Sequence, residues 1–332
     1  MGYNLLEPMN PTFHHRLVNS EYEDPSLFVR MLREKRAFLF DAGRIDRLAS
    51  GDLMKISDLF VTHMHIDHFI GFDALLRSLL RRDKPLRVYG PEHIIDSVEG
   101  KLRGYTWNLI EEYPVKLEIF EISSASVRRA HFYAQRRFER IDGQTTVFDG
   151  VAMKDPAYTV KAALLSHGIP CLGFSLEEDI HINIDKSALS ALDLPVGPWL
   201  GVFKGMIRDR VRPDTGVCID GKEFRFSDLS HIAVITDGQK ISYVTDVSPE
   251  EENISKIIDL VRGSNTLYCE AYFLEEDRER AIERHHLTAR SAGEIAKKAG
   301  VGNLVLMHFS PKYRDKSHML KMEAMNEYKG GA

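Results

Sequence analysis

Residues 59–71 read Leu-Phe-Val-Thr-His-Met-His-Ile-Asp-His-Phe-Ile-Gly. A short apolar run ends in His63, His65, Asp67 and His68, three imidazoles and a carboxylate within six residues. Side chains of this kind are costly to gather for packing alone, and a divalent cation gives all four a shared reason to be there. In an extended segment alternate residues point the same way, so His63 and His65 can reach one ion. The chain then turns into a helical pattern, which lets Asp67 and His68 face a second ion beside the first. The fold must therefore carry a strand end where further donors converge.

The rest of the chain supplies such ends. Arg36–Ala42, Leu59–Thr62, Leu86–Tyr89, Lys116–Ile122 and Tyr158–Leu165 read as strands, as do Ile232–Ile235, Ile241–Val244, Leu267–Glu270 and Leu304–Met307. Ile232–Ile235 and Ile241–Val244 flank a turn at Asp237-Gly238. Gly71–Arg82 is a predicted helix with Phe72, Leu75, Leu76, Leu79 and Leu80 on one side. Pro91 is placed for the first turn of another. Glu250–Val261 follows Pro249, and Thr288–Ala299 has Thr288 as N-cap and Gly300 at its end. Strands alternating with helices predict a layered α/β protein with its site at strand ends. Residues 1–332 are expected to form a single domain, with the Pro- and Gly-richer stretch of about 185–222 as an inserted arm.

A dinuclear site needs more ligands than the first four. His167 follows a strand and precedes Gly-Ile-Pro, Asp246 follows Ile-Ser-Tyr-Val-Thr, and His308 follows Leu-Val-Leu-Met. Each alone also suits a hydrogen-bonded strand-end residue; their occurrence together with the cluster points to ligation, Asp246 being the natural bridging carboxylate. Imidazole and carboxylate suit two zinc ions, with manganese or iron as alternatives.

Bulk properties exclude several classes. No apolar stretch nears the roughly 18 residues that span a bilayer, and the N-terminus lacks a basic region followed by an apolar core. The three cysteines, Cys171, Cys218 and Cys269, are too scattered for a disulfide framework, so a cytoplasmic location is expected. A net charge of −5 argues against a general nucleic-acid coat protein, although not against a local basic groove. Two basic runs stand out. Lys204, Arg208, Arg210 and Arg212 end the arm. Arg128, Arg129, Arg136, Arg137 and Arg140 interleave with Phe132, Tyr133 and Phe138. The second run reads either as a phosphate grip with stacking rings or as a solvated amphipathic helix.

Thr62-His63-Met64-His65-Ile66-Asp67-His68 resembles the signature of the metallo-β-lactamase superfamily, and the downstream segments resemble ribonuclease Z more narrowly. Ser166-His167-Gly168-Ile169-Pro170-Cys171-Leu172-Gly173-Phe174 is similar to the segment carrying that family's third histidine. Leu194-Pro195-Val196-Gly197-Pro198-Trp199 resembles the Pro-Pro-Gly-Pro segment of the arm with which the family holds tRNA. Tyr243-Val244-Thr245-Asp246, Cys269-Glu270-Ala271-Tyr272-Phe273, His286-Leu287-Thr288-Ala289 and Met307-His308-Phe309-Ser310-Pro311-Lys312-Tyr313 resemble its remaining motifs in order.

The resemblance implies an αββα metallo-β-lactamase sandwich. His63, His65 and His167 would hold one zinc, Asp67, His68 and His308 the other, with Asp246 between them. Asp67 would also orient the attacking hydroxide or take its proton, and Glu270 with His286 would donate a proton to the leaving oxygen. The implied function is endonucleolytic 3′ processing of precursor tRNA by a homodimer; the alternative is a small-molecule phosphodiesterase or another hydrolase of the metallo-β-lactamase fold. Two loops depart from the pattern. Asn10-Pro11-Thr12-Phe13-His14-His15-Arg16 lacks the family's early glycines, and Asp41-Ala42-Gly43-Arg44-Ile45-Asp46 replaces its Asp-Cys-Gly-Glu-Gly-Thr.

Overall fold

The computed structural model describes residues 12–32 and 34–330. Asn10 and Pro11 of the atypical N-terminal loop lie outside them. The described residues fall into two compact units, a larger one within 13–153, 160–176 and 240–330, and a smaller one of Thr12, 154–159 and 177–239.

The larger unit is built on two sheets. The first has nine strands: β1 (Phe13–Leu17), β2 (Leu27–Met31), β3 (Ala37–Phe40), β4 (Ile56–Phe60), β5 (Leu86–Gly90), β6 (Lys116–Ile122), β7 (Ser126–Tyr133) and β8 (Arg140–Asp142) in sequential order, with β9 (Thr146–Val147) also on β7. Strands β3 to β6 run parallel. The second sheet opens with β10 (Val151–Lys154), β11 (Tyr158–Ser166) and β12 (Pro170–Glu178). After the intervening strands β13 (Ile180–Ile184), β14 (Gly216–Ile219), β15 (Lys222–Arg225) and β16 (Ala233–Asp237), it resumes with β17 (Lys240–Val244), β18 (Thr266–Glu270) and β19 (Leu304–Met307). Strands β17, β18 and β19 are parallel.

Parallel strands of this kind are covered on both faces, which explains why β3 and β18 are buried along their whole length. The inner faces meet through aromatic rings: Phe40 and Phe60 of the first sheet lie 5.9 and 5.5 Å from Phe174 of the second, and Phe40 lies 5.9 Å from Tyr243. The outer face of the first sheet is covered by helices Phe72–Leu79 and Ile94–Arg103, which bury Leu75, Leu76, Ile95 and Val98 against Leu59, Val88 and Ile119. Helices Glu251–Val261, Ala289–Lys298 and Ser317–Lys329 do the same for the second through Ile257, Ile295 and Leu320. Helix, sheet, sheet and helix form four layers, the αββα arrangement expected from sequence. Thr288 caps its helix by accepting from Ser291 N at 3.2 Å, and Gly300 ends it with a φ of 63°.

Three local expectations need correction. Pro91 lies in a turn ahead of the helix, which starts at Ile94 after His93 in a left-handed conformation. The segments around Asp237-Gly238 are not a hairpin: β16 pairs with β13, whereas β17 joins the large sheet. Residues 128–140 are not an amphipathic α-helix either: they run from strand β7 through one 3₁₀ turn, Ala134–Arg136, into its neighbour β8.

The smaller unit has its own apolar cluster, Leu189, Trp199, Phe203, Val217, Ile219, Leu229 and Ile232. The stretch 185–222 lies wholly within it. Asp185 caps helix Lys186–Ala191 by accepting from Ser187 N and Ala188 N. Lys204 of the arm's basic run is buried, its ammonium donating to the Ile182 carbonyl. Among the described residues no helix is long and apolar enough to cross a membrane.

Candidate metal centre

Five parallel strands in the two sheets end beside one another, and each delivers a polar residue where its last hydrogen bonds run out: Asp41 after β3, His63 after β4, Asp246 after β17, Glu270 at the end of β18 and His308 after β19. Crevices beyond the carboxyl ends of parallel strands are where α/β proteins bind ligands. Asp41, Asp246 and His308 take left-handed backbones, with φ of 55°, 52° and 53°. Asp and His tolerate that region better than most residues, and non-glycine residues in it concentrate at functional sites.

The His63–His68 loop is clamped from behind. Ala42 N donates to the His68 carbonyl and Gly71 N to the Ala42 carbonyl, each at 2.8 Å. A Cβ at Gly71 would sit 2.1 Å from the Gly43 carbonyl oxygen, and one at Gly43 would sit 2.7 Å from the Asp67 carbonyl oxygen, so both glycines are needed for the two loops to approach.

The structure brings together all seven residues expected to hold metal. His63, His65 and His167 present ligand atoms within 4.8 Å of one another, as do Asp67, His68 and His308, and His63, His68 and Asp246. His63 Nε2 lies 2.9 Å from His65 Nδ1, and Asp246 Oδ2 lies 2.7 Å from His68 Nε2. The other Asp246 oxygen is 3.3 Å from His308 Nδ1 and 3.9 Å from His167 Nε2. Asp67 Oδ2 lies 3.6 Å from His68 Nε2 and 3.7 Å from His308 Nε2. Asp246 thus stands between the two groups.

The outward nitrogens are fixed from outside the cluster. His68 Nδ1 donates to Asp41 Oδ2 at 2.8 Å, and His167 Nδ1 donates to the His285 carbonyl at 2.7 Å. Each bond leaves the ring's Nε2 turned toward the cluster, the usual arrangement behind a metal-bound histidine. The Asp41 carboxylate also accepts from Thr62 N at 2.7 Å, Thr62 Oγ1 at 2.9 Å and Tyr243 OH at 3.1 Å. Neither Asp41 nor the His285 carbonyl was singled out from sequence. The His285 ring is itself anchored, its Nδ1 meeting Ser248 Oγ at 2.9 Å.

Electrostatics show what the cluster lacks. Burial, together with the charge of His68, pushes His63 down to about 2, leaving a neutral imidazole with a lone pair to give. Burial works against charge on His68 as well, but Asp246 and Asp41 outweigh it and lift its pKa to about 10; His308 is raised in the same way by Asp246 and Asp67. Burial would raise Asp67, yet the His308 hydrogen bond and the His68 charge hold it at about 2. Buried carboxylates here draw positive charge onto the histidines. His68 Nε2 and His308 Nδ1 are moreover buried without a hydrogen bond of acceptable geometry among the described residues. Neutral nitrogens, ionised oxygens and unsatisfied buried atoms facing a common centre fit divalent cations.

Glu270 is fully buried, with Oε1 accepting from Val247 N at 2.9 Å and Leu287 N at 3.3 Å. Its Oε2 accepts from His286 Nδ1 at 2.8 Å. Burial opposes the Glu270 charge, but His286 keeps its carboxyl below the usual range. The Tyr272 ring stacks on the His286 ring with centroids 3.9 Å apart and planes 5° from parallel. The cluster opens into a cleft of about 430 Å³ lined by His65, Asp67, His167, Asp246, His286 and His308, with Tyr272, Phe273, Arg280, Arg284 and Ser310 completing its wall. The basic run 128–140 takes no part: Arg128 pairs with Glu121, Arg129 with Glu118, Arg137 with Glu111, and Arg140 with Asp96 and Asp142.

No protein-family model matches the chain. A ribonuclease Z of Deinococcus radiodurans is 30% identical over 282 residues, 83% of each chain. A ribonuclease Z of Pyrococcus abyssi is 31% identical over 317 residues, 93% of this chain and 84% of that one. Among solved structures, the short form of human tRNase Z superposes with a TM-score of 0.55 at 19% identity, covering 90% of this chain and 93% of that one. A metallo-β-lactamase fold protein of Bacillus subtilis gives 0.54 at 13% identity, covering 96% and 93%. Superposition at such identities speaks for the metallo-β-lactamase fold, whereas the sequence identity over most of both chains is closer kinship: the chain belongs to the ribonuclease Z family.

Proposed function

We propose that this chain is a divalent-metal-dependent phosphodiester hydrolase that cuts precursor tRNA at its 3′ end. The observation that carries the reading is the convergence of His63, His65, Asp67, His68, His167, Asp246 and His308 on one cleft, in a member of the ribonuclease Z family. In this reading His63, His65 and His167 hold one ion, Asp67, His68 and His308 the second, and Asp246 bridges. Zinc suits this donor set, and manganese and iron also fit it. Bound there, the ions supply Lewis acidity for the phosphate oxygens and make water acidic enough to attack near neutral pH.

The chain's own groups handle the protons. Asp67, ionised at any ordinary pH, is the half-buried carboxylate at the cleft and takes the proton of the attacking water. As the bond from phosphorus to the leaving oxygen breaks, His286 gives that oxygen a proton. Glu270, bonded to His286 Nδ1, fixes the ring's orientation so that its other nitrogen can face the leaving oxygen. Water and diester become a phosphate monoester and a free hydroxyl. The reading has the enzyme acting in the cytoplasm as a homodimer, with the stretch 185–222 as its tRNA-holding arm; the family resemblance supports these points.

Incubating metal-loaded protein with precursor tRNA and, separately, with bis(p-nitrophenyl) phosphate tests the reading. Release of the 3′ trailer is expected, and Asp67→Ala should nearly abolish it. Robust ester cleavage with intact precursor tRNA would overturn it in favour of a small-molecule phosphodiesterase.

A further inference from the structure

The cleft wall carries a feature that the hydrolytic groups leave unused. Arg280 and Arg284 are the only Lys or Arg side chains among its lining residues. They belong to helix Arg278–Glu283 and its C-cap. Four residues apart on a helical turn, they fall on one face. Both are exposed. Their neighbour Arg278 is tied to Glu275 at 2.8 Å, whereas among the described residues neither Arg280 nor Arg284 has a carboxylate within 4.0 Å. Each arginine of the basic run 128–140 is paired with a carboxylate, whereas Arg280 and Arg284 share the cleft wall with the acidic residues Asp67 and Asp246. Arg280 is also held in place, its guanidinium lying 5.8 Å from the centroid of the buried Phe273 ring.

We propose that Arg280 and Arg284 form a phosphate clamp that grips the RNA backbone one phosphodiester away from the scissile bond, on the side of the leaving oxygen. The inference rests on the nuclease reading of the cleft. Arg284 lies two residues before His286, the group assigned to the leaving oxygen, and both line the same cleft. Ions held by the histidine and aspartate donors would supply the counter-charge of the scissile phosphate. A polyanion entering the cleft also passes Asp67 and Asp246, on a chain of net charge −5, and needs local positive charge to offset them. Guanidinium groups suit that task because their paired N–H donors match phosphate oxygens. Contacts of this kind position the strand without reading its bases.

The test is binding of a short fluorescently labelled RNA strand to the full, metal-loaded chain, followed by anisotropy across a range of salt. Wild type is compared with R280Q/R284Q, with the charge-preserving R280K/R284K, and with R103Q, a change at an arginine 78% exposed and already paired with Glu99. The glutamine pair should weaken binding roughly tenfold or more and reduce the slope of log affinity against log salt by about 1.4, the value for two lost contacts to a single strand. The lysine pair should recover the salt slope and part of the affinity, and R103Q should match wild type. Equal affinity and slope in wild type and R280Q/R284Q overturns the clamp, even if precursor tRNA is cut. Wild type that binds RNA through these arginines but leaves precursor tRNA whole overturns the proposed function instead, and the clamp stands.

Discussion

Asp41→Asn is the most discriminating substitution outside the ligand set. Asn is close to Asp in shape and tolerates the left-handed backbone that residue 41 requires, with φ of 55°, so the loop keeps its course. What changes is one oxygen. Asp41 Oδ1 is 2.7 Å from Thr62 N, which the retained amide oxygen can still satisfy; Oδ2 is 2.8 Å from His68 Nδ1 and 3.1 Å from Tyr243 OH. An NH₂ group in the place of Oδ2 faces the His68 N–H, donor against donor. The ring escapes the clash by moving its proton to Nε2, the nitrogen that faces Asp246 at 2.7 Å, and a protonated nitrogen cannot ligate. Loss of an outer partner of a metal-bound histidine typically costs about 10–100-fold in metal affinity or activity. Loss of a buried hydrogen bond to a charged group costs the metal-free fold roughly 1–3 kcal/mol. Competition with a chromophoric chelator measures the first, and denaturant unfolding of chelated protein measures the second. The expected result is one weakened site per chain with the other near wild type. Wild-type affinity at both sites would refute the view that Asp41 sets the His68 tautomer.

Two further outcomes follow from the site. His286→Ala should lower turnover by roughly 10²–10⁴-fold, the usual contribution of a proton donor, while metal content measured in the same sample stays at the wild-type value; lost metal would make His286 a ligand instead. The metal-free protein should be most stable near pH 6.5. The folded His68 is raised to about 10, so its protonation stabilises the fold fully below the unfolded value and that contribution drains away as pH rises through 10. His63, pushed down to about 2, opposes folding as pH falls below 6.5, because the unfolded chain then binds a proton that the folded one refuses. Thermal unfolding of chelated protein between pH 5 and 10 checks both limbs, and a midpoint that climbs steadily to pH 10 would contradict the His68 limb.

Which parts of this site could be read from the chain follows from how each part is built. His63, His65, Asp67 and His68 fall within six residues, so one window of sequence holds both their identities and the strand-to-helix geometry that, in the proposed reading, divides them between two ions. His167, Asp246 and His308 were legible because each follows a strand-like run and all three occur together with the first cluster. Asp41 was missed although it closes such a run too, since its partner His68 is 27 residues away and meets it only because β3 and β4 are parallel neighbours. The His285 carbonyl has no side-chain signature at all. Charge runs misled for the complementary reason: Arg128 and Arg129 looked available, but the register of β6 against β7 sets Glu121 opposite Arg128 and brings Glu118 to Arg129. Nothing in the sequence marks out Arg280 or Arg284; the fold puts them on the cleft wall with no carboxylate within 4.0 Å among the described residues. Sequence reveals a charge, and only tertiary pairing decides whether that charge is spent within the fold or left for a substrate. By that criterion the groups free to meet an RNA strand in this cleft are few, and the functional weight of the helix before His286 rests on two guanidinium groups.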